Sequence, residues 1–230
     1  MENSVRVLST LGLKGAFSNL AEQYQVASGV RIAADFAPTL NLLDRLKDGE
    51  TADVLILTQE GLAGLAAAGS VVAESCVDLA RSYVGVAVKA GSPHPDIATE
   101  AALRAALLGA RSVAYSRLGA SGVYFAKLIA QLGIASDINA RATIVPLGLT
   151  AERIVSGEAD LAIQQISELK QVKGVEIVGP VPLHLQTPAV FSAGRFAASK
   201  KVREADLLLK FLVSEQAAPV LWASGLEGLR

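Results

Sequence analysis

Val5 to Ser9 alternates apolar and polar side chains over the length of a strand and stops at Ser9, Thr10 and Gly12. Apolar residues then recur at helical spacing, at Ala16, Phe17, Leu20, Ala21 and Tyr24, until Gly29 stops the pattern. The middle of the chain repeats this layout. An apolar run from Ser112 to Tyr115 reads as a strand and ends in a loop of small residues, Ser116 to Gly122. Val123, Phe125, Ile129 and Leu132 then share one helix face.

The same reading along the whole chain predicts strands at 5–9, 30–36, 53–57, 84–88, 112–115, 142–146, 160–164 and 175–178. It predicts helices at 14–28, 40–48, 60–68, 99–108, 121–132, 151–156, 202–214 and 215–223. Gly49, Gly69, Gly109, Gly133, Gly157 and Gly225 fall where helices should stop. Regular alternation of strand and helix points to α/β architecture with largely parallel sheets.

Two extended segments break the alternation, Val77–Tyr83 and Leu185–Ala193. If both are crossings between lobes, lobe 1 is discontinuous, residues 1–80 plus 192–230, and lobe 2 is 81–191. Two crossings would form a hinge that lets the lobes close on a ligand. The alternative is one continuous domain, which periodicity alone does not exclude.

Each strand–loop–helix unit offers an anion a helix N-terminus, with unpaired N–H donors and partial positive charge. Ser121 is the expected N-cap of the second helix, and Ser116 lies at the strand tip. In open α/β sheets ligands sit beyond the carboxyl ends of the strands. The bland reading of each loop is a tight connection, with its serines as caps or turn residues.

Composition narrows the classes. Half of the chain is apolar (51%), only 5% is aromatic, and the net charge is −1. No basic block suggests a nucleic-acid surface or an anionic-membrane binder. The single cysteine, Cys76, forms no intrachain disulfide, and no Cys/His cluster suggests a metal. No cofactor is expected. His94 and His184 sit beside prolines and read as solvated loop residues. No apolar run reaches the roughly 18–20 residues of a membrane span without charges intervening. No leader pattern precedes the first strand. The expected location is cytoplasmic if this is the full-length chain, and periplasmic if a signal peptide was removed.

Together these segments resemble the molybdate-binding branch of the bacterial substrate-binding proteins, solute-binding proteins of ABC transporters with the type II periplasmic fold. The matching pieces are Val7-Leu-Ser-Thr10, Ala52-Asp-Val-Leu-Ile-Leu57, Leu79-Ala-Arg-Ser82, Ala114-Tyr-Ser116 with Ala120-Ser-Gly122, and Gly157-Glu-Ala-Asp-Leu-Ala-Ile-Gln164. Val175-Glu-Ile-Val-Gly-Pro180 and Phe211-Leu-Val-Ser-Glu215 continue the match. The resemblance implies two lobes, each a mostly parallel sheet flanked by helices, joined by two hinge crossings. It also implies a small anionic ligand in the cleft between the lobes, a monomer, and an ABC-transporter membrane component as partner, with no nucleic acid and no membrane insertion.

By position the resemblance places Ser9 and Thr10 in the first ligand loop, Thr39 and Thr58 after the second and third strands, and Ser82 after the first crossing. Ser116 and Ser121 fall in the anion loop of lobe 2, and Gln164 or Gln165 on its distal wall. An amide there suits a carboxylate as well as an oxometallate. Arg81 offers a fork matched to a carboxylate, or pairs with Asp78 or Asp53, while Arg117 reads as solvated at the loop tip.

Three functions stay open. The first is capture of a small anion, a molybdate- or tungstate-like oxyanion or a small carboxylate, for transport and without catalysis. The second follows from distant enzyme relatives that resemble aconitate isomerase: isomerisation of a small unsaturated tricarboxylate by proton transfer. That chemistry needs a base, for which Tyr115, Glu168 and Lys14 are the candidates. The third is the ligand-binding module of a regulator.

Overall fold

The computed structural model describes residues 4–229. The chain forms two compact units. Its two ends, up to Ser82 and from Ala189 on, make unit 1, and Tyr83–Pro188 makes unit 2.

Unit 1 opens with β1 (Ser4–Ser9), α1 (Lys14–Ser28), β2 (Arg31–Phe36), α2 (Thr39–Lys47), β3 (Val54–Thr58), α3 (Gln59–Ala67) and β4 (Val77–Ser82). Unit 2 contains β5 (Val84–Lys89), α4 (Glu100–Gly109), β6 (Val113–Tyr115), α5 (Ala120–Gln131), α6 (Ala135–Asn139), β7 (Thr143–Ile144), α7 (Ala151–Val155), β8 (Leu161–Gln165), α8 (Ile166–Leu169) and β9 (Val175–Pro180). The chain then returns to unit 1 with β10 (Ala189–Arg195), α9 (Val202–Leu212) and α10 (Ala218–Ala223).

Each unit is built on a five-stranded sheet, ordered β2-β1-β3-β10-β4 in unit 1 and β7-β6-β8-β5-β9 in unit 2. Four strands of each sheet run one way and the fifth is reversed. The reversed strands are β10, antiparallel to β3 and β4, and β5, antiparallel to β8 and β9. Each reversed strand is the first that the chain forms after crossing from the other unit. The parallel neighbours β2-β1-β3 and β7-β6-β8 are linked through helices, as parallel strands require.

Burial explains the strand sequences. Val54-Leu-Ile-Leu-Thr58 and Leu161-Ala-Ile-Gln-Gln165 are buried throughout because helices cover both faces of each sheet. Alternation sends Val54 and Ile56 to a cluster with Phe17 and Leu20 of α1 and Leu208 of α9. Leu55 and Leu57 point the other way, to Leu42 of α2 and Leu62 of α3. In unit 2, Val113, Tyr115 and Ile163 pack with Leu103 of α4 and Phe125 of α5, while Ala114 and Ala162 face Ile154 of α7. Helix α9 follows the same logic, burying Ala205, Leu208, Leu209 and Leu212, one face of a helical repeat.

The predicted elements differ from the observed ones at a few points. Single-turn helices α6 and α8 are too short to show a period in the sequence. The last helix begins at Ala218 rather than Glu215, which puts Pro219 in its first turn, where the missing N–H costs no hydrogen bond. Gly109 is the last residue of α4 and does not adopt a left-handed stop, whereas Gly29, with φ of 70°, does.

Candidate functional site

In unit 1 the polar loop residues gather at the carboxyl ends of β1, β2 and β3, which are neighbours in the sheet. Ser9 ends β1 fully buried, its hydroxyl donating to the Thr10 carbonyl at 3.1 Å. Thr10 is fixed by its backbone N–H, which donates to the Ile56 carbonyl on β3 at 2.8 Å. Thr39 is the first residue of α2, and its hydroxyl lies 3.5 Å from that of Thr10. Thr58 caps α3, accepting from the Gly61 N–H at 3.3 Å. A Cβ on Gly61 would lie 3.2 Å from both Thr39 Cγ2 and Thr58 Oγ1, so Gly61 lets the two threonines approach. Thr10, Thr39 and Thr58 thus form one buried hydroxyl cluster at two helix N-termini.

Arg81 and Ser82 lie at the end of β4, and Ser82 is buried. Arg81 exchanges backbone hydrogen bonds with Glu227 and donates from Nε to the Glu227 carboxylate at 3.1 Å. Its expected partners are engaged elsewhere. Asp78 accepts from Gln59 and Ser192, and Asp53 from Ser199 and the Arg6 N–H. Among the described residues, the two terminal guanidinium nitrogens of Arg81 have no partner.

In unit 2 the corresponding loop follows β6. The Ser116 hydroxyl accepts from the Leu118 N–H at 3.2 Å. Gly119, not Ser121, caps α5, and its carbonyl accepts from the N–H groups of Gly122 and Val123. The loop closes so tightly that a Cβ on Gly122 would lie 1.5 Å from the Ser116 carbonyl oxygen. This shifts the helix start by one residue and moves Ser121 into the first turn. There Ser121 is buried, and among the described residues its hydroxyl has no hydrogen-bond partner.

At the end of β8, Gln164 is held from several sides. Its carbonyl accepts from the Thr150 N–H at 2.7 Å and the Thr150 hydroxyl at 2.9 Å. Its amide donates to the Gly148 carbonyl at 3.3 Å and to the Glu168 carboxylate. These bonds occupy the amide's hydrogen-bonding capacity and fix which end is oxygen. Gln164 therefore orients its neighbours rather than offering free donors. Glu168, on α8, is 7% exposed. Burial pushes its carboxyl up to about 8, against the opposing pull of hydrogen bonds from the Gln165 backbone and the Gln164 side chain.

The remaining candidates fall outside these clusters. Tyr115 is core, packed edge-on against Phe125 with its hydroxyl donating to Asn139. Lys14 and Arg117 are exposed. His94 pairs with Glu176 at the surface, and His184 is exposed. Burial raises the Cys76 thiol, and Asp78 and Glu74 add to the shift. Among the described residues no group of three or more His, Cys, Asp or Glu is placed to hold a metal ion, and no helix is long and apolar enough to cross a membrane. Sequence reasoning missed Thr150. The signal for it was Leu147-Gly-Leu-Thr150, a hydroxyl residue just ahead of a helix.

Comparison with known proteins places the fold. The chain is 35% identical over 230 residues to an aconitate isomerase from a Pseudomonas species, covering 97% of this chain and 87% of that one. It is similar to the periplasmic molybdate-binding protein of Azotobacter vinelandii, with a TM-score of 0.83 and 18% identity over 98% of this chain and 100% of that one. The sulfate-binding protein SubI from Mycobacterium tuberculosis H37Rv is similar with a TM-score of 0.79 and 19% identity over 99% and 88%. At such identities the likeness is one of fold, the two-lobed type II periplasmic-binding-protein fold with a mostly parallel, helix-flanked sheet in each lobe. Residues 5–227 match the family described as bacterial extracellular solute-binding protein. The chain therefore belongs to that solute-binding family.

Proposed function

We propose that the protein binds a small unsaturated tricarboxylate and isomerises it by moving a proton. The observation that carries this reading is the 35% identity to an aconitate isomerase along nearly the whole of both chains. The donors are compatible with such a ligand. Each unit by itself offers buried hydroxyls that suit carboxylate oxygens, Ser9, Thr10, Thr39, Thr58 and Ser82 in unit 1 and Ser116 and Ser121 in unit 2. The terminal nitrogens of Arg81 suit the two oxygens of one carboxylate. Isomerisation by proton transfer is redox-neutral and needs only an acid–base group near the ligand.

A second reading is supported by the same neutral hydroxyls and by the fold shared with the A. vinelandii protein. In it the protein captures an oxyanion such as molybdate or tungstate, or a carboxylate, for an ABC-transporter membrane component and performs no chemistry. Proton NMR of cis-aconitate incubated with the protein tests the first reading through appearance of the trans isomer. Calorimetric titration with cis-aconitate, molybdate, tungstate and sulfate runs beside it. Binding of molybdate with no response to cis-aconitate would establish the second reading instead.

A further inference from the structure

We propose that Glu168 is the acid–base group of this isomerisation, taking a proton from one carbon of the tricarboxylate and returning it to another. The assignment rests on the isomerase reading above. Among the described residues Glu168 is the one buried side chain of Asp, Glu, Lys, Arg or His. It sits in the first turn after β8, at the carboxyl end of a central strand, where ligands of α/β sheets are met.

Its surroundings are unlike those of a structural carboxylate. Glu50, Glu158 and Glu176 are paired with Arg45, Arg153 and His94, and all three are held below the ordinary carboxylate range. Among the described residues Glu168 has no cationic partner. It receives hydrogen bonds from two neutral groups, the Gln165 backbone and the Gln164 amide. Neutral donors leave a buried carboxyl able both to hold a proton and to release it near neutrality. Gln164 is the positioning residue. Its carbonyl is clamped by Thr150, which turns its amide N–H toward Glu168.

The step balances on one group. The Glu168 carboxylate takes a proton from the methylene carbon, and that C–H electron pair becomes the new carbon–carbon double bond. The pair of the old double bond forms a C–H bond to the proton that Glu168 returns at the formerly vinylic carbon. Glu168 ends as it began, and no oxidant, reductant or cofactor takes part.

The test is isomerisation of cis-aconitate in heavy water followed by NMR, with binding measured separately by calorimetry. Wild-type protein should isomerise the ligand, with solvent deuterium entering it only as far as the proton held by Glu168 exchanges before its return. Glu168→Gln, which mimics the neutral acid in shape, should bind cis-aconitate within about threefold of wild type and lose isomerisation by roughly 100-fold or more. An unchanged rate in this variant overturns the assignment while leaving the isomerase reading intact. Wild-type protein that binds cis-aconitate but neither isomerises it nor exchanges deuterium overturns both. If Glu168→Gln does not fold, Glu168→Asp decides. It keeps the carboxyl but withdraws it by one methylene, and should lose at least about tenfold, so an undiminished rate there overturns the assignment.

Discussion

Thr150 gives both of its donors to one acceptor: its backbone N–H and its hydroxyl reach the same side-chain oxygen of Gln164, at 2.7 and 2.9 Å. Both residues are buried. The pair joins the start of α7 to the end of β8. Thr150→Val keeps the shape and removes one donor, so it should cost about 1 kcal/mol. Gln164→Leu leaves the Thr150 N–H buried without an acceptor and should cost more, about 2–3 kcal/mol. Urea denaturation of the two variants gives the comparison, and an equal cost would contradict the double acceptance.

Ser121 and Gly122 are neighbours that should respond in opposite ways. The Ser121 hydroxyl has no partner among the described residues, so Ser121→Ala should leave the denaturation midpoint nearly unchanged. If the hydroxyl contacts the ligand, affinity should fall by about 1–3 kcal/mol in calorimetry. Gly122→Ala forces a methyl group onto the Ser116 carbonyl and should cost roughly 3 kcal/mol or more of stability.

Arg81→Lys separates carboxylate from oxyanion. The ion pair of Arg81 with Glu227 is about half exposed on both sides, so its loss should cost little stability, about 0–1 kcal/mol. Lysine keeps the charge and loses the fork. Affinity for cis-aconitate should fall by about tenfold, and affinity for molybdate should hold. Equal effects on both ligands would remove Arg81 from carboxylate recognition.

Glu168 gives folding a pH dependence of known sign. Its carboxyl is raised from 4.5 to about 8 by burial, so the folded state binds the proton more tightly than the unfolded chain. Its contribution to stability is fully present below the unfolded value and is lost as pH rises through the folded one. The window runs from about 4.5 to about 8. Glu50, held low by Arg45, has the opposite sign and acts in more acid solution. Denaturation at about pH 5 and about pH 8 should show the wild type less stable at the higher value, and Glu168→Gln should flatten the difference.

What could be read from the sequence follows from how far each signal extends along the chain. Helix α1 was legible to its end residues, Lys14–Ser28, because four turns carry a full apolar period and Gly29 supplies the stop. The buried strands β3 and β8 were legible from apolar runs. Helix α8 was not, because Ile166–Leu169 is a single turn, too short to carry a period of its own. At the loops, residue type announced a polar cluster but not its internal bonding. Gln164 is a plausible ligand donor in the sequence and a fully occupied amide in the fold, because Thr150 and Gly148 reach it from another loop. Ser121 reads as a cap from its place before an apolar repeat. The contact between Gly122 and the Ser116 carbonyl, which moves the cap to Gly119, is a matter of backbone closeness that no residue type records.

The reversed strand β10 has a consequence for synthesis. Among the described strands β4 pairs only with β10, apart from the single bridge of Arg81 to Glu227, and β3 has β10 on one side. A chain emerging from the ribosome makes β3 and β4 early and must wait for β10, which follows all of Tyr83–Pro188. The contiguous unit holds all five strands of its own sheet and can close first. Unit 1 is thus the later of the two to be completed, and β4 and one edge of β3 lack their strand partner until β10 arrives, open to chaperones and to other nascent chains.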